Sequence, residues 1–154
     1  MSPRQLRFVA FRVGPETFLI DIMAVRQIVP YEGSMPIPTA PQFIEGVVVL
    51  HDEAVPIIDL ATRVHPARRE SAEQPLVLLT HTPAGVVGLK VDEVRKMLTL
   101  EADQLLPAPA LIRGVRGEFL VAIAQHDDEV LLVLDVDAVL NPEEREQVEL
   151  MRRG

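Results

Sequence analysis

Short apolar runs separated by polar turns fill most of the chain, and their lengths and composition predict strands. Val47 to Leu50 and Val55 to Asp59 read as two strands around the turn His51-Asp52-Glu53. Leu6 to Val13 is rich in β-branched and aromatic residues, and it returns through Gly14-Pro15-Glu16 as Thr17 to Asp21, a hairpin. Asp21 is placed to cap one helical turn over Ile22 to Val25, after which Gln27 to Tyr31 runs extended. A second hairpin, Leu76 to Thr82 and Val86 to Val91, turns over Pro83-Ala84-Gly85, with Arg95 to Leu100 extended beyond it. Phe119 to Gln125 and Val130 to Val136 pair across His126-Asp127-Asp128-Glu129. Pro36, Pro38 and Pro41 stiffen one connection, and Pro107-Ala108-Pro109 stiffens another.

Helical signals gather only at the end. Asn141 suits an N-cap, Pro142 the first helical position, and Glu143 with Glu144 the positive end of a helix dipole. Val148 and Met151 are three residues apart, too small an apolar face for a free partner site, so the predicted helix docks or frays.

The pattern repeats. Phe18 to Ile28 aligns without gaps on Val87 to Met97, which sets Val25-Arg26 on Val94-Arg95. Ile44, Gly46 and Val47 align on Ile112, Gly114 and Val115, and Ile57 to Leu60 align on Val133 to Val136 after a short insertion. Any two β-rich halves share some pattern, but three matching blocks in one order favour duplication over chance. A duplicated unit leaves a cleft between its copies.

Composition narrows the function. An apolar share of 48% is enough to build a packed core and rules out disorder as a description of the whole chain. The net charge of −8 repels phosphate backbones, and Tyr31 with five Phe leaves little for base stacking, so nucleic acid is not an expected partner. With no cysteine there is no disulfide, thiol chemistry or Cys-ligated zinc. The first residues carry no signal-peptide run and no apolar stretch spans a bilayer, so the expected location is cytoplasmic without membrane insertion. The 13 prolines exceed a usual share of about 5% and suit short strands with many turns.

Candidate chemistry is sparse. His51-Asp52-Glu53 is the densest polar cluster beside a strand, yet a metal or acid–base site there needs ligands from elsewhere, and His65, His81 and His126 show no paired spacing with it. A solvated turn explains it more simply. The same holds for His126 to Glu129, which lacks the spaced oxygen ligands of a calcium loop. Asp59 and Asp135 each close a strand before a short helical turn and read as caps rather than paired carboxylates. No nucleophile elbow or phosphate loop is present. No catalytic residue, metal or cofactor is assigned.

Taken in order, these segments resemble the CheW family of chemotaxis adaptor domains. The carriers are Phe18 to Ile22 with Val25, the proline-rich stretch into Phe43-Ile44 and Gly46-Val47, Val55 to Leu60, and Val86 to Val94. The resemblance runs from Phe8 to about Leu140. It implies an all-β fold of two small five-stranded SH3-like barrels about a pseudo-twofold axis, followed here by the C-terminal helix. The expected organisation is one domain over 6–140 with interleaved halves near 6–64 and 76–140, an exposed loop at 65–75 and a helix over 141–154.

The resemblance also implies a non-enzymatic scaffold in bacterial chemosensory signal transduction. Its partners would be the regulatory domain of a CheA-type histidine kinase and the cytoplasmic signalling tip of a chemoreceptor, which would recruit it to membrane-associated arrays. Val25, Gly46 and Val94 match positions lining the receptor groove, with core packing of the valines and a turn requirement at Gly46 as the plainer alternatives. Two departures stand out. The family carries Arg-Gly where this chain has His51-Asp52, and often glutamate where it has Gln27. A permanent cation gives way to a ring and a carboxylate, and loss of glycine predicts an altered turn. A divergent member that binds only one partner is therefore an alternative function. A small metal-dependent hydrolase around His51 and Asp52 and a purely self-associating β module are alternatives of other classes.

Overall fold

A computed structural model describes residues 4–64, 72–109 and 120–153, with residues 152 and 153 described by backbone alone. Among the described residues there are eleven strands: β1 Gln5–Val13, β2 Glu16–Asp21, β3 Val25–Pro30, β4 Gly46–Leu50, β5 Glu53–Asp59, β6 Leu76–Thr82, β7 Gly85–Val91, β8 Glu93–Glu101, β9 Leu105–Pro107, β10 Leu120–His126 and β11 Glu129–Leu134. Two α-helices join them among the described residues, α1 Leu60–Val64 and α2 Pro142–Arg153, with single 3-10 turns at Ile22–Ala24, Ala102–Gln104 and Val136–Ala138.

The strands form two sheets with one plan. The first has the order β8-β1-β2-β11-β10-β9 and the second β3-β6-β7-β5-β4. Hairpin β1–β2 corresponds to β6–β7, β3 to β8, and hairpin β4–β5 to β10–β11. Each sheet contains one parallel pair at the same place, Phe18 beside Leu132 in the first and Ile57 beside Gly88 in the second. The strands exchange between copies. β3 leaves its own hairpin to pair with β6, and β8 returns to pair with β1. The first sheet carries a sixth strand, β9, beyond the expected five; in the second, a single bridge from Met35 to Val47 takes that place.

Buried residues explain why the strands read as continuous apolar runs. Successive side chains point to opposite faces, and here both faces are covered. On β2, Phe18 and Ile20 enter a central core while Leu19 enters the interior of the first sheet with Phe8 and Leu131. On β6, Leu78 joins the central core while Val77 and Leu79 face the interior of the second sheet with Val55 and Ile57. The central core mixes both copies, and Phe11 stacks on Phe18 at 5.7 Å within it.

Local signals account for most boundaries. Asp21 accepts the Met23 amide at 2.8 Å and caps the 3-10 turn between β2 and β3. At the aligned place in the second copy no helical turn forms, and Asp92 instead accepts the Gly14 amide at 2.7 Å. The strand expected to reach Val136 ends at Leu134. Asp135 accepts the Asp137 amide at 3.0 Å and turns the chain into a 3-10 turn, with Val136 still buried.

Asp59 likewise caps α1 by accepting the Ala61 amide. Asn141 and Glu144 exchange side-chain-to-amide bonds of 2.8 and 3.0 Å, a full capping box at the start of α2. Val148 lies wholly buried in the central core, so the helix docks. Arg63 reaches Glu144 at 2.6 Å and fastens α1 to α2. Residues 65–71 of the expected loop, and the Ile112-Gly114-Val115 block with Phe119, lie outside the described residues.

Candidate functional site

The β4–β5 connection is a two-residue turn, with Glu53 already in the strand. His51 and Asp52 both take left-handed backbone angles, φ 51° and 63°. Such a pair defines the hairpin turn that matches strand twist. Asp127 and Asp128 do the same in the second copy, with φ 50° and 62°. Two residues without glycine hold the hairpin form in each copy. The ladders of β4–β5 and β10–β11 run up to the turns and dictate those angles.

His51 and Gln27 meet. His51 Nε2 lies 3.2 Å from Gln27 Oε1, which accepts, so this ring nitrogen is the donor. Beside them Arg26 donates to Glu53 at 3.1 Å. β3 and β4 are the two edges of the second sheet, so these contacts tie edge strand β3 to the β4–β5 turn and curl the sheet upon itself. The repeat reproduces the charged half of the bridge. Arg95, aligned on Arg26, donates at 2.9 Å to both oxygens of Glu129, which is aligned on Glu53. The Thr17 hydroxyl also donates to Glu129, and this bond, followed by the Arg95 contact, holds the Glu129 carboxyl below its ordinary pKa despite partial desolvation. Gln27 and His51, the positions where the sequence is expected to depart from the family, thus sit together on an exposed rim, with Asp52 beside them.

Val25 and Val94 occupy equivalent positions and are half-buried, each packed against the margin of the central core. Gly46 lies apart from them. Its backbone is not in the left-handed region, so no turn requires it. A Cβ there would stand 2.8 Å from Ser34 Cβ and closer still to its hydroxyl. The glycine admits the close pass of the 31–35 connection over β4.

A polar cluster around that connection escaped the sequence reading. Tyr31 hydrogen-bonds Ser34 at 2.9 Å and donates to Glu45, and buried Lys90 reaches Glu45 at 3.0 Å while standing 4.6 Å over the Tyr31 ring. Burial, then the Glu45 bond, raises the Tyr31 pKa. Lys90 was the available signal, a cation inside the apolar run Val86 to Val91. Among the described residues no three His, Asp or Glu side chains gather in a geometry that could hold a metal ion.

A duplicated pair of β sheets sharing one core, with an exposed polar rim bridging the edges of one sheet, defines a protein of the interaction-module class. Residues 7–144 match the CheW-like domain family, and the chain belongs to that family. A chemotaxis protein CheW of Klebsiella aerogenes is 33% identical over 137 residues, 89% of this chain and 82% of that protein. Another from Rhizobium meliloti is 30% identical over 90% of this chain and 89% of its own length, and one from Treponema pallidum is 28% identical over 96% and 89%. The crystal structure of the scaffolding protein TtCheW from Thermoanaerobacter tengcongensis superposes with a TM-score of 0.80 at 24% identity, covering 91% of this chain and 90% of that one.

Proposed function

We propose that this protein is a non-catalytic scaffold coupling chemoreceptor signalling tips to a CheA-type histidine kinase, working in the cytoplasm at receptor arrays. The observation that carries the reading is the family match across 7–144 on a duplicated fold that exposes Gln27, His51 and Asp52 together at the margin of one sheet. Coupling of this kind is interface burial, and each specific contact needs roughly 1,000 Å² or more in total. Gln27, His51 and Asp52 form the rim that meets a partner. Val25 and Val94 line the receptor groove at the margin of the central core. Gly46 supports the surface by admitting the connection above it.

Calorimetric titration with the kinase regulatory domain and, separately, with a receptor signalling tip tests the reading; binding to neither overturns it. The Gln27–His51 pair favours a second reading, a member that engages only one of the two partners. His51→Arg is expected to change the affinity for the partner at this rim at least threefold. Because the two side chains touch, Gln27→Glu added to His51→Arg is expected to differ from the sum of the single changes. Equal affinities across all variants would remove the rim from the interface.

A further inference from the structure

The β4–β5 turn presents hydrogen-bond acceptors where its counterpart is supplied with a cation. In the first copy the matching turn is Asp127-Asp128, and the offset that sets Val25 on Val94 puts Lys96 at the place of Gln27. Lys96 and Asp127 line one small recess, so this chain sets a cation beside its own carboxylate. In the second copy the edge strand offers Gln27, a neutral amide. The neighbouring cation there is Arg26, and it is committed to Glu53 at 3.1 Å.

Gln27 also fixes the state of the His51 ring. Its Oε1 can only accept, so His51 Nε2 carries the proton and, in the neutral ring, Nδ1 is a bare acceptor. Asp52 follows in the turn and adds a carboxylate to the same exposed rim. A further proton can enter only at Nδ1. It leaves the Gln27 bond intact, because Nε2 donates in both states, but it turns the acceptor into a donor and adds a positive charge.

We infer that His51 and Asp52 form a seat for a lysine or arginine of the receptor signalling tip, and that protonation of His51 closes it. The inference rests on the scaffold reading above. The receptor tip is the occupant because Gln27 stands on β3 two residues from Val25, so the rim continues the groove proposed for that partner. A cation is the fitting guest, since the two acceptors adjoin on a chain of net charge −8 and the edge strand supplies no lysine of its own. Histidine ordinarily changes charge between pH 5 and 8, so the seat accepts its guest at the upper end and repels it at the lower. The charged groups beside the ring are Arg26 on β3, Asp52 in the turn and Glu53 on β5. Guanidinium and carboxylate groups ordinarily keep their charge across that interval, which leaves the ring as the group that changes.

Calorimetric titration of the receptor tip at pH 8 and at pH 5.5 tests the seat. Wild type is expected to bind at least fivefold more weakly at the lower pH. His51→Arg fixes a cation in the seat and is expected to bind at both pH values within twofold of acidified wild type. His51→Asn and Asp52→Asn suit the left-handed angles of the turn and decide the matter if the arginine variant fails to fold. The first is expected to change less than twofold between the two pH values, and the second to weaken binding at pH 8 at least threefold. His81→Gln and His126→Gln are expected to keep the wild-type dependence. Binding that tightens or holds steady on acidification, or His51→Asn with the wild-type dependence, would overturn the seat and leave the scaffold reading standing. Wild type that binds neither the tip nor the kinase regulatory domain at pH 8 overturns both.

Discussion

Single residues in this protein are constrained by neighbours distant in sequence. Gly46 is fixed by Ser34, and Ser34 is held from the other side by Tyr31. Gly46→Ala is therefore expected to cost about 1–3 kcal/mol, the usual penalty for forcing an extra methyl into a packed site. Urea denaturation measures it, and an unchanged midpoint would show that the connection can lift.

Glu129 offers a pH test. Its carboxyl titrates below the ordinary value because Thr17 and Arg95 favour the charged form. A group depressed in the folded state binds fewer protons folded than unfolded. Its stabilising contribution is thus complete above the unfolded carboxylate pKa and is lost as pH falls through the folded one. Thr17→Val is expected to raise the Glu129 midpoint in an NMR titration and to lessen that acid-side loss. Of these contacts, the alignment of Arg26 with Arg95 was legible from the repeat. Their acidic partners were not, because only the curl of each sheet brings β3 to the β4–β5 turn and β8 to the β10–β11 turn.

Among the elements, hairpins were the easiest to read, since apolar alternation and turn residues act within a few positions. The end of β11 was harder. An apolar run continues through Val136, and burial there favours either backbone state; the Asp135 carboxylate decides for the turn. The start of β8 was hidden for the opposite reason, because Glu93 is polar and the strand is held by pairing with β1 rather than by its own pattern. Helix α2 combines a local start signal with a tertiary anchor. Asn141→Ala is expected to remove about 1 kcal/mol by breaking the capping box. Val148→Ala is expected to cost about 1–3 kcal/mol through lost burial and the space left behind. Chemical denaturation of the two variants compares cap with anchor, and a larger effect of the cap would mean that the helix is held mainly at its start.

At the scale of the whole molecule, the duplication could be read from aligned blocks, whereas interleaved halves were expected only from the family resemblance and the residue pattern did not say which strands exchange. Periodicity states which face of a strand is buried and is silent on which sheet receives it. The exchange has an energetic consequence. Each sheet is assembled from both copies, β1 and β2 with β8 to β11 in the first and β6 and β7 with β3 to β5 in the second, and the central core draws Phe11 and Ile20 from one hairpin with Leu78 and Leu89 from the other. The protein is accordingly expected to unfold in one transition, with calorimetric and van't Hoff enthalpies equal and both sheets lost together. Two separated transitions in a calorimetric scan would show that the sheets are independent.

The crossings themselves are short. Three residues, Ile22–Ala24, separate β2 in one sheet from β3 in the other, and the single residue Asp92 separates β7 from β8. Connections so brief leave no slack for one sheet to swing while the other stays still. Gln27 on β3 is thereby joined to β2 across only the Asp21-capped turn, so the two sheets are expected to move as one body.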